Sequence, residues 1–138
     1  MSIEKLITKP VVSIEMDDTL ALVKGLFETH NFHHLLVVNV GKLQGVISDR
    51  DLLKALSPHI GTDAETSHDA ATLNKKAHQI MTRHPITATE DLGFYDLIEI
   101  FNQYNVSCIP VLDAAGKPVG IITWRDIFKA IKRPDTSI

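Results

Sequence analysis

The spacing of apolar residues along the chain predicts the same series of elements twice. Two short apolar runs, Val11–Ile14 and Ile86–Ala88, are typical of β-strands. Each run is followed by apolar residues three and four positions apart, which predict an amphipathic helix. Two further apolar strands around a turn with Gly41-Lys42 or Gly116-Lys117 predict a hairpin, and a last amphipathic helix follows. The predicted order is therefore β-α-β-β-α in each half.

In each copy, five residues of the long helix fall on one helical face. They are Leu22, Val23, Leu26, Phe27 and His30 in the first, and Phe94, Leu97, Ile98, Phe101 and Tyr104 in the second.

Polar residues and one glycine refine the predicted helices. Asp17-Asp18-Thr19 and Glu90-Asp91 predict capped helix starts, because acidic groups suit the positive end of a helix. Gly25 costs the first helix about 1 kcal/mol relative to alanine, so it predicts a close packing contact. Segments 2–8 and 73–82 are predicted to be helical lead-ins to the two copies.

An internal repeat accounts for this duplication. Residues 45–56 (GVISDRDLLKAL) and 120–131 (GIITWRDIFKAI) are identical at six of twelve positions. The pattern divides the chain into a first repeat at 2–57, an acidic, loop-like linker at 58–72 and a second repeat at 73–133. Because a unit this short buries little apolar surface alone, we expect the copies to pack as one α/β domain with an approximate twofold axis.

Composition excludes several classes of protein. The 138 residues carry a formal charge of −3, which argues against DNA or RNA as the main partner. No apolar run approaches the roughly 18 residues of a membrane span, and the first residues lack a secretory signal pattern. The single cysteine, Cys108, excludes an internal disulfide and fits a reducing compartment. These features predict a cytoplasmic protein that does not enter a membrane.

Each copy contains a run of glycine, two apolar residues, a hydroxyl residue and, three positions later, an aspartate. These runs are Gly45–Asp51 and Gly120–Asp126. One interpretation is structural, because a hydroxyl residue followed by an acid forms a capping box at a helix start. The other is chemical: the helix start suits a phosphate, and the carboxylate can accept hydrogen bonds from the two vicinal hydroxyls of a ribose. Because the run occurs twice at equivalent junctions, the sequence also favours a nucleotide site.

The paired runs resemble a tandem of CBS domains, the CBS pair or Bateman module. The resemblance includes Thr-Lys-Pro-Val and Thr-Arg-His-Pro-Ile before the first strand of each copy, and the stretch Val106–Pro110. It covers residues 2–57 and 73–133, and it implies a pseudo-symmetric α/β module with two clefts between the repeats. Relatives bind adenosyl ligands in such clefts, namely AMP, ADP, ATP or S-adenosylmethionine, and usually form flat dimers through their helices.

The resemblance also assigns site residues. It places a ligand ribose on Asp51 in one cleft and on Asp126 in the other. The residues that it implies around these acids are Ser48, Val46, Ile86 and Thr87 for Asp51, then Thr123, Ile121, Val11 and Val12 for Asp126, with His33, His34, Ser107 and Cys108 from the stretches before the second strands. The Asp126 cleft is slightly favoured, because His33 and His34 can contact a phosphate there. The alternative for this histidine pair is a solvated loop.

Three other features have weaker functional interpretations. The seven histidines show no ligand spacing typical of zinc, so no metal site is predicted. Trp124 is either an exposed interface residue or a partly buried residue at a helix start. Cys108 is expected to be a buried structural thiol, because the sequence nominates no base to activate it as a nucleophile. No catalytic residue is predicted.

The leading hypothesis is a regulatory module that binds an adenosyl ligand without changing it and transmits occupancy to an unidentified target protein. It requires no catalytic cofactor, and a homodimer is expected from the resemblance. The alternative is a ligand-free interaction or scaffold subunit in which the aspartates only cap helices. A nucleotide-converting enzyme is the third and least favoured hypothesis.

Overall fold

The computed structural model describes residues 2–131. The chain forms two compact units, one from Val12–Pro85 and the other from the described parts of Met1–Val11 and Ile86–Ile138. Residues 132 and 133, the last of the second predicted repeat, lie outside the described range. No helix in the described range is long and apolar enough to cross a membrane.

The Val12–Pro85 unit contains one complete β-α-β-β-α copy. Its strands form a sheet in the order β1-β2-β3-β4, in which β1 and β2 are parallel and the other pairs antiparallel. The elements, in chain order, are β1 (Ser13–Glu15), α1 (Leu20–Thr29), β2 (His34–Asn39), β3 (Lys42–Ser48), α2 (Asp49–Ala55), α3 (Ser67–Ala71), α4 (Ala77–Ile80) and β4 (Thr82–Arg83).

The second unit repeats this arrangement with a three-stranded sheet in the order β5-β6-β7. The first pair is parallel and the second antiparallel. Its elements are a 3-10 turn (Glu4–Leu6), then β5 (Ala88–Thr89), α5 (Phe94–Gln103), β6 (Cys108–Leu112), β7 (Pro118–Thr123) and α6 (Trp124–Ala130). The mixed α/β fold with two β-α-β-β-α repeats is therefore confirmed.

Each unit has its own apolar core between its sheet and its helices. In the first, Leu35, Val37 and Ile47 from the hairpin are completely buried against Leu20 and Val23 of α1. The core of the second has the same plan, with these fully buried residues from the lead-in, helix and hairpin: Ile3, Leu97, Ile109, Val111 and Ile122. Strands buried on both faces explain the continuous apolar runs in the sequence.

The hairpin and the helix starts follow from local chemistry. Val40 and Gly41 have φ values of 52° and 75°, and this pair of positive angles connects β2 to β3 by a tight turn that matches strand twist. Thr19 caps α1 by accepting a hydrogen bond from the Leu22 N–H, as its sequence predicts.

Three local predictions are wrong. Glu90 and Asp91 do not cap α5, which begins after Gly93. Gly25 has no atom within 4 Å of the place where a side chain would begin, so it makes no close contact. The linker is not only loop, because α3 forms there behind its own capping box of Thr66 and Asp69. The predicted helical lead-ins are present as short turns, Glu4–Leu6 in the first copy and Ala77–Ile80 in the second.

The lead-in of each copy packs in the unit of the other copy. In one unit Thr8 forms an antiparallel bridge with Ile121 of β7, and in the other Thr82 pairs with Val46 of β3. The glycine that opens each motif lies under this crossing. A Cβ atom at Gly120 would lie 2.0 Å from Cγ2 of Ile7, and one at Gly45 would lie 2.7 Å from the carbonyl oxygen of Thr82. The motif therefore needs glycine so that the lead-in can reach the adjacent helix start.

Candidate functional site

The two aspartates singled out by the sequence occupy the third position of their helices, α2 and α6. At the start of α2 the Ser48 N–H donates to Oδ2 of Asp51 (2.9 Å), and the Asp51 N–H donates to Oγ of Ser48 (3.1 Å). At the start of α6 the Thr123 N–H donates to Oδ2 of Asp126 (2.8 Å). The capping interpretation is thus correct, and the remaining question is what acceptor capacity each carboxylate retains.

Asp51 retains most of its capacity. A carboxylate offers about four lone-pair sites, and a vicinal diol needs two of them. Within the Val12–Pro85 unit, Asp51 accepts the single hydrogen bond from Ser48, and no donor of that unit is bonded to its Oδ1. The side chain is half-buried. The hydrogen bond from Ser48 holds it in place, and the residue lines an open pocket.

Asp126 has less capacity. Its Oδ2 accepts from both the N–H and, at 3.3 Å, the hydroxyl of Thr123. Its Oδ1 accepts from the hydroxyl of Thr8 at 3.0 Å. Three of about four sites are therefore filled by residues of the same unit, and a diol would have to displace at least one donor.

A pocket of about 330 Å³ extends from Asp51 along one side of α2. Its other lining residues are Lys54 and Ala55 of α2, then Lys75 and Ile80 from the lead-in of the second copy. The Lys75 ammonium donates to the Ala55 carbonyl oxygen (3.1 Å), which bridges the helix end to the lead-in. It is a shallow depression that is largely open to solvent.

Sequence analysis did not identify Lys54, Ala55, Lys75 and Ile80 as pocket residues. The two in α2 follow Asp51 by three and four positions, so helical spacing places them on its face and could have found them. Lys75 and Ile80 come from a segment more than twenty residues away, and local spacing carries no signal for that approach.

His33 and His34 lie in the Val12–Pro85 unit, at the start of β2. Nδ1 of His33 is 2.8 Å from Oδ2 of Asp49, the first residue of α2. Burial lowers the pKa of His34 below its ordinary value, the Asp49 and Asp51 carboxylates oppose this shift, and His33 adds to it. His33 is exposed and positions Asp49, whereas His34 is a partly buried strand residue. Contact of either with phosphate stays a prediction.

The other predicted site residues divide between the two units. Val46, Ser48 and Val12 lie with Asp51, and the remainder lie with Asp126: Val11, Ile86, Thr87, Ser107, Cys108, Ile121 and Thr123. The resemblance implies that residues of one repeat also line the site of the other repeat, and this stays a prediction. Val46 is buried, Ser107 and Thr87 are exposed, and the others are partly buried except Cys108.

Cys108 is a buried thiol, as the sequence predicts, with 8% of its surface exposed. Burial raises its pKa to about 12, and the Asp126 carboxylate adds to the rise. The thiol is therefore protonated at neutral pH and is a poor nucleophile.

Metal coordination finds no support in the described part of the chain, where no group of three or more histidine, cysteine, aspartate or glutamate side chains could hold an ion. Trp124, the first residue of α6, is 42% exposed and contacts Phe101 with a centroid distance of 5.0 Å. It combines both interpretations, because the ring contacts Phe101 of α5 and stacks on Phe128 of α6 (centroid distance 6.1 Å) but stays partly exposed.

Comparison with known proteins identifies the repeats. The family model for the CBS domain matches residues 3–58 and 77–133. A CBS domain-containing protein of Dictyostelium discoideum is 31% identical over 91% of this chain and 88% of its own length. Inosine-5'-monophosphate dehydrogenase of Methanocaldococcus jannaschii is 30% identical over 97% of this chain, but the chain spans only 24% of that enzyme.

Solved structures show the same fold. The CBS domain pair of protein MJ0100, in complex with 5'-methylthioadenosine and S-adenosyl-L-methionine, is 29% identical. It superposes with a TM-score of 0.76 over 94% of both chains.

Proposed function

This chain belongs to the CBS-domain family and contains two CBS repeats, and on that basis we propose that it is a regulatory module for an adenosyl ligand. The ligand class is AMP, ADP, ATP or S-adenosylmethionine, bound without chemical change. The adenosyl complex of the MJ0100 domain pair, at 29% identity over nearly the whole chain, supports this class.

The acceptor capacity of Asp51 beside the pocket is the observation on which this proposal rests. The carboxylate is fixed by Ser48, and a ribose diol can bond to its Oδ1 without displacing any hydrogen bond of the Val12–Pro85 unit. The adjacent pocket, between Ala55 and Ile80, offers apolar surface against which a purine can pack.

Charge at the pocket favours the anionic members of the ligand class. Lys54 and Lys75 bring two ammonium groups to the pocket that Asp51 lines. These groups attract the phosphate of AMP or ADP and disfavour the sulfonium cation of S-adenosylmethionine. We therefore expect the nucleotides to bind more tightly than S-adenosylmethionine.

The proposed output is a change in affinity for a partner protein. A ligand shifts a conformational equilibrium only by its differential affinity for two states, commonly about 1–3 kcal/mol. The region matched in inosine-5'-monophosphate dehydrogenase is 24% of that enzyme, so the similarity does not assign its activity to this chain. The cytoplasmic location stays a prediction based on the single cysteine.

We also propose a homodimer formed through an apolar stripe on α6 and its end, consisting of Trp124, Phe128 and Ile131. These residues, spaced four and three apart, lie on one helix face and are 42%, 65% and 60% exposed. Leu53 occupies the position of Phe128 in the first copy and is 75% exposed. Exposed apolar surface repeated at equivalent helix positions favours a symmetric interface.

A thermal-shift screen tests the ligand proposal. AMP, ADP, ATP and S-adenosylmethionine are compared with NADH and guanine nucleotides. A ligand present at a hundredfold excess over its Kd stabilises the fold by about 2.7 kcal/mol, so a clear rise in Tm is expected for an adenosyl ligand. The doubly substituted variant Asp51→Ala, Asp126→Ala should lose this rise, whereas Asp63→Ala, at an exposed loop acid, should keep it.

The scaffold alternative makes the opposite prediction. Absence of any shift at millimolar ligand would support it. A shift that survives in the doubly substituted variant would instead reject the assignment of the ribose to the two aspartates. Purified protein with 260 nm absorbance above that of its one tryptophan and two tyrosines would indicate a retained nucleotide instead.

A further inference from the structure

The two acid sites differ in one hydrogen bond that the repeat does not predict. Thr8 lies on the strand-like end of its lead-in, where its N–H donates to the Ile121 carbonyl oxygen (2.9 Å) and its carbonyl oxygen accepts from the Ile121 N–H (3.2 Å). This bridge fixes the backbone beside the start of α6. From there the Thr8 hydroxyl donates to Oδ1 of Asp126 (3.0 Å).

Thr82 is the counterpart of Thr8 and provides the contrast. It pairs with Val46, which corresponds to Ile121, in the same antiparallel register. Within the Val12–Pro85 unit, however, no hydrogen bond joins the Thr82 hydroxyl to Asp51, and Ser48 is the one donor of that unit to this carboxylate. The backbone framework is therefore shared, and the difference lies in the hydroxyl.

The number of free acceptor sites on each carboxylate predicts a difference in ligand affinity between the two sites. A ribose diol needs two acceptor sites, and Asp51 has about three to offer, whereas Asp126 has about one. Binding at Asp126 has to break the Thr8–Asp126 hydrogen bond or the weaker one from the Thr123 hydroxyl. Loss of a hydrogen bond to a charged acceptor reduces affinity by about tenfold or more.

We propose that Thr8 makes the two sites unequal, so that the ligand occupies the Asp51 site first and the Asp126 site only when the Thr8 hydroxyl releases the carboxylate. This inference rests on the proposed function. It assigns Thr8 as a specificity-determining residue, and it places the weaker site in the unit that holds the first lead-in. Engagement of the second site would thus alter the contact that links residues 2–11 to α6.

The test isolates the weaker site in an Asp51→Ala background and follows AMP binding by NMR chemical-shift titration, which measures millimolar dissociation constants. Adding Thr8→Val, which keeps the branched shape and removes the hydroxyl, should tighten AMP binding about tenfold. Thr82→Val in the same background is the matched control and should change nothing. Thr8→Ser keeps the hydroxyl and should restore the weak binding.

Failure of the Thr8 proposal and failure of the proposed function give different results. Unchanged or weaker AMP binding with Thr8→Val, or equal tightening with Thr82→Val, overturns the role of Thr8 but leaves the proposed function standing. Absence of AMP and S-adenosylmethionine binding to the unsubstituted protein overturns both. If Asp51→Ala does not fold, Asp51→Asn retains an oxygen for the Ser48 N–H and allows the same comparison.

Discussion

A carboxylate has enough acceptor sites to cap a helix and bind a ligand at the same time. At Asp51 the cap uses one site and holds the side chain still, which reduces the entropy that a ligand has to remove. At Asp126 the same cap is supplemented by two threonine hydroxyls. At the scale of the residue, function therefore depends on unused acceptor capacity rather than on the presence of an aspartate.

The sequence predicts the aspartates and their caps, because both depend on residues three positions apart. It does not predict how many acceptor sites of each carboxylate are occupied. The donor that makes the difference, Thr8, is distant in sequence and is brought to Asp126 by its bridge to Ile121. Lys75 was missed for the same reason.

His34 gives a prediction for the pH dependence of stability. Because its folded-state pKa lies below its ordinary value of 6.5, the unfolded chain binds a proton first as the pH falls. The free energy of unfolding should therefore decrease below about pH 6.5 and level off below the folded-state pKa. Urea denaturation between pH 5 and 8 measures this slope, which His34→Gln should reduce.

The control for this slope is His68→Gln, at an exposed position of α3. It should leave the slope unchanged. An unaltered slope with His34→Gln would show that His34 does not set the pH dependence.

Helices and hairpins are the elements that the sequence predicts best. Their signals are local: apolar spacing for α1 and α5, hydroxyl caps at Thr19 and Ser48, and a positive-φ turn at Gly41. The start of α5 was missed because Gly93, rather than an acid, occupies the cap position. α3 was missed because it has no apolar periodicity, although Thr66 and Asp69 carry a capping-box signal.

Substitution of two glycines by alanine should change the stability of the protein in opposite directions, because their surroundings are packed differently. Gly25→Ala should raise the free energy of unfolding by about 1 kcal/mol, because α1 gains a better helix former and the added methyl meets no atom. Gly120→Ala should lower it by about 1–3 kcal/mol, because the methyl overlaps Ile7 beneath the lead-in. Chemical denaturation of both variants measures the two changes.

The two substitutions should change the free energy of unfolding with opposite signs, and each sign tests one packing contact. Destabilisation by Gly25→Ala would mean that α1 packs against something at this position. A neutral Gly120→Ala would mean that the first lead-in does not cross β7 as closely as the structure has it.

At the scale of the whole molecule, the repeat in the sequence and the compact units are different divisions of the chain. Each lead-in belongs by sequence to one copy and packs in the unit of the other, against β3 or β7. The duplicated motif predicts two equivalent copies, but no local pattern specifies which sheet edge a lead-in joins. That pairing follows from long-range contacts, which periodicity does not report.

The proposed homodimer is a property of the same scale. Phe128→Glu places a charge in the centre of the apolar stripe and should convert the dimer to a monomer, measured by sedimentation equilibrium. Val40→Glu adds the same charge at an 88% exposed hairpin residue and should leave the dimer intact. A monomer in the unsubstituted protein, or a dimer that survives Phe128→Glu, would exclude this interface.

Whether Asp51 binds the ribose diol can be measured by isothermal titration calorimetry, which compares the affinity of the protein for AMP with its affinity for 2'-deoxy-AMP. In the unsubstituted protein, loss of the 2'-hydroxyl should weaken binding about tenfold, because one hydrogen bond to the carboxylate is lost. In the doubly substituted variant Asp51→Ala, Asp126→Ala both nucleotides should bind weakly and to the same extent. Equal affinity of the unsubstituted protein for the two nucleotides would contradict the claim.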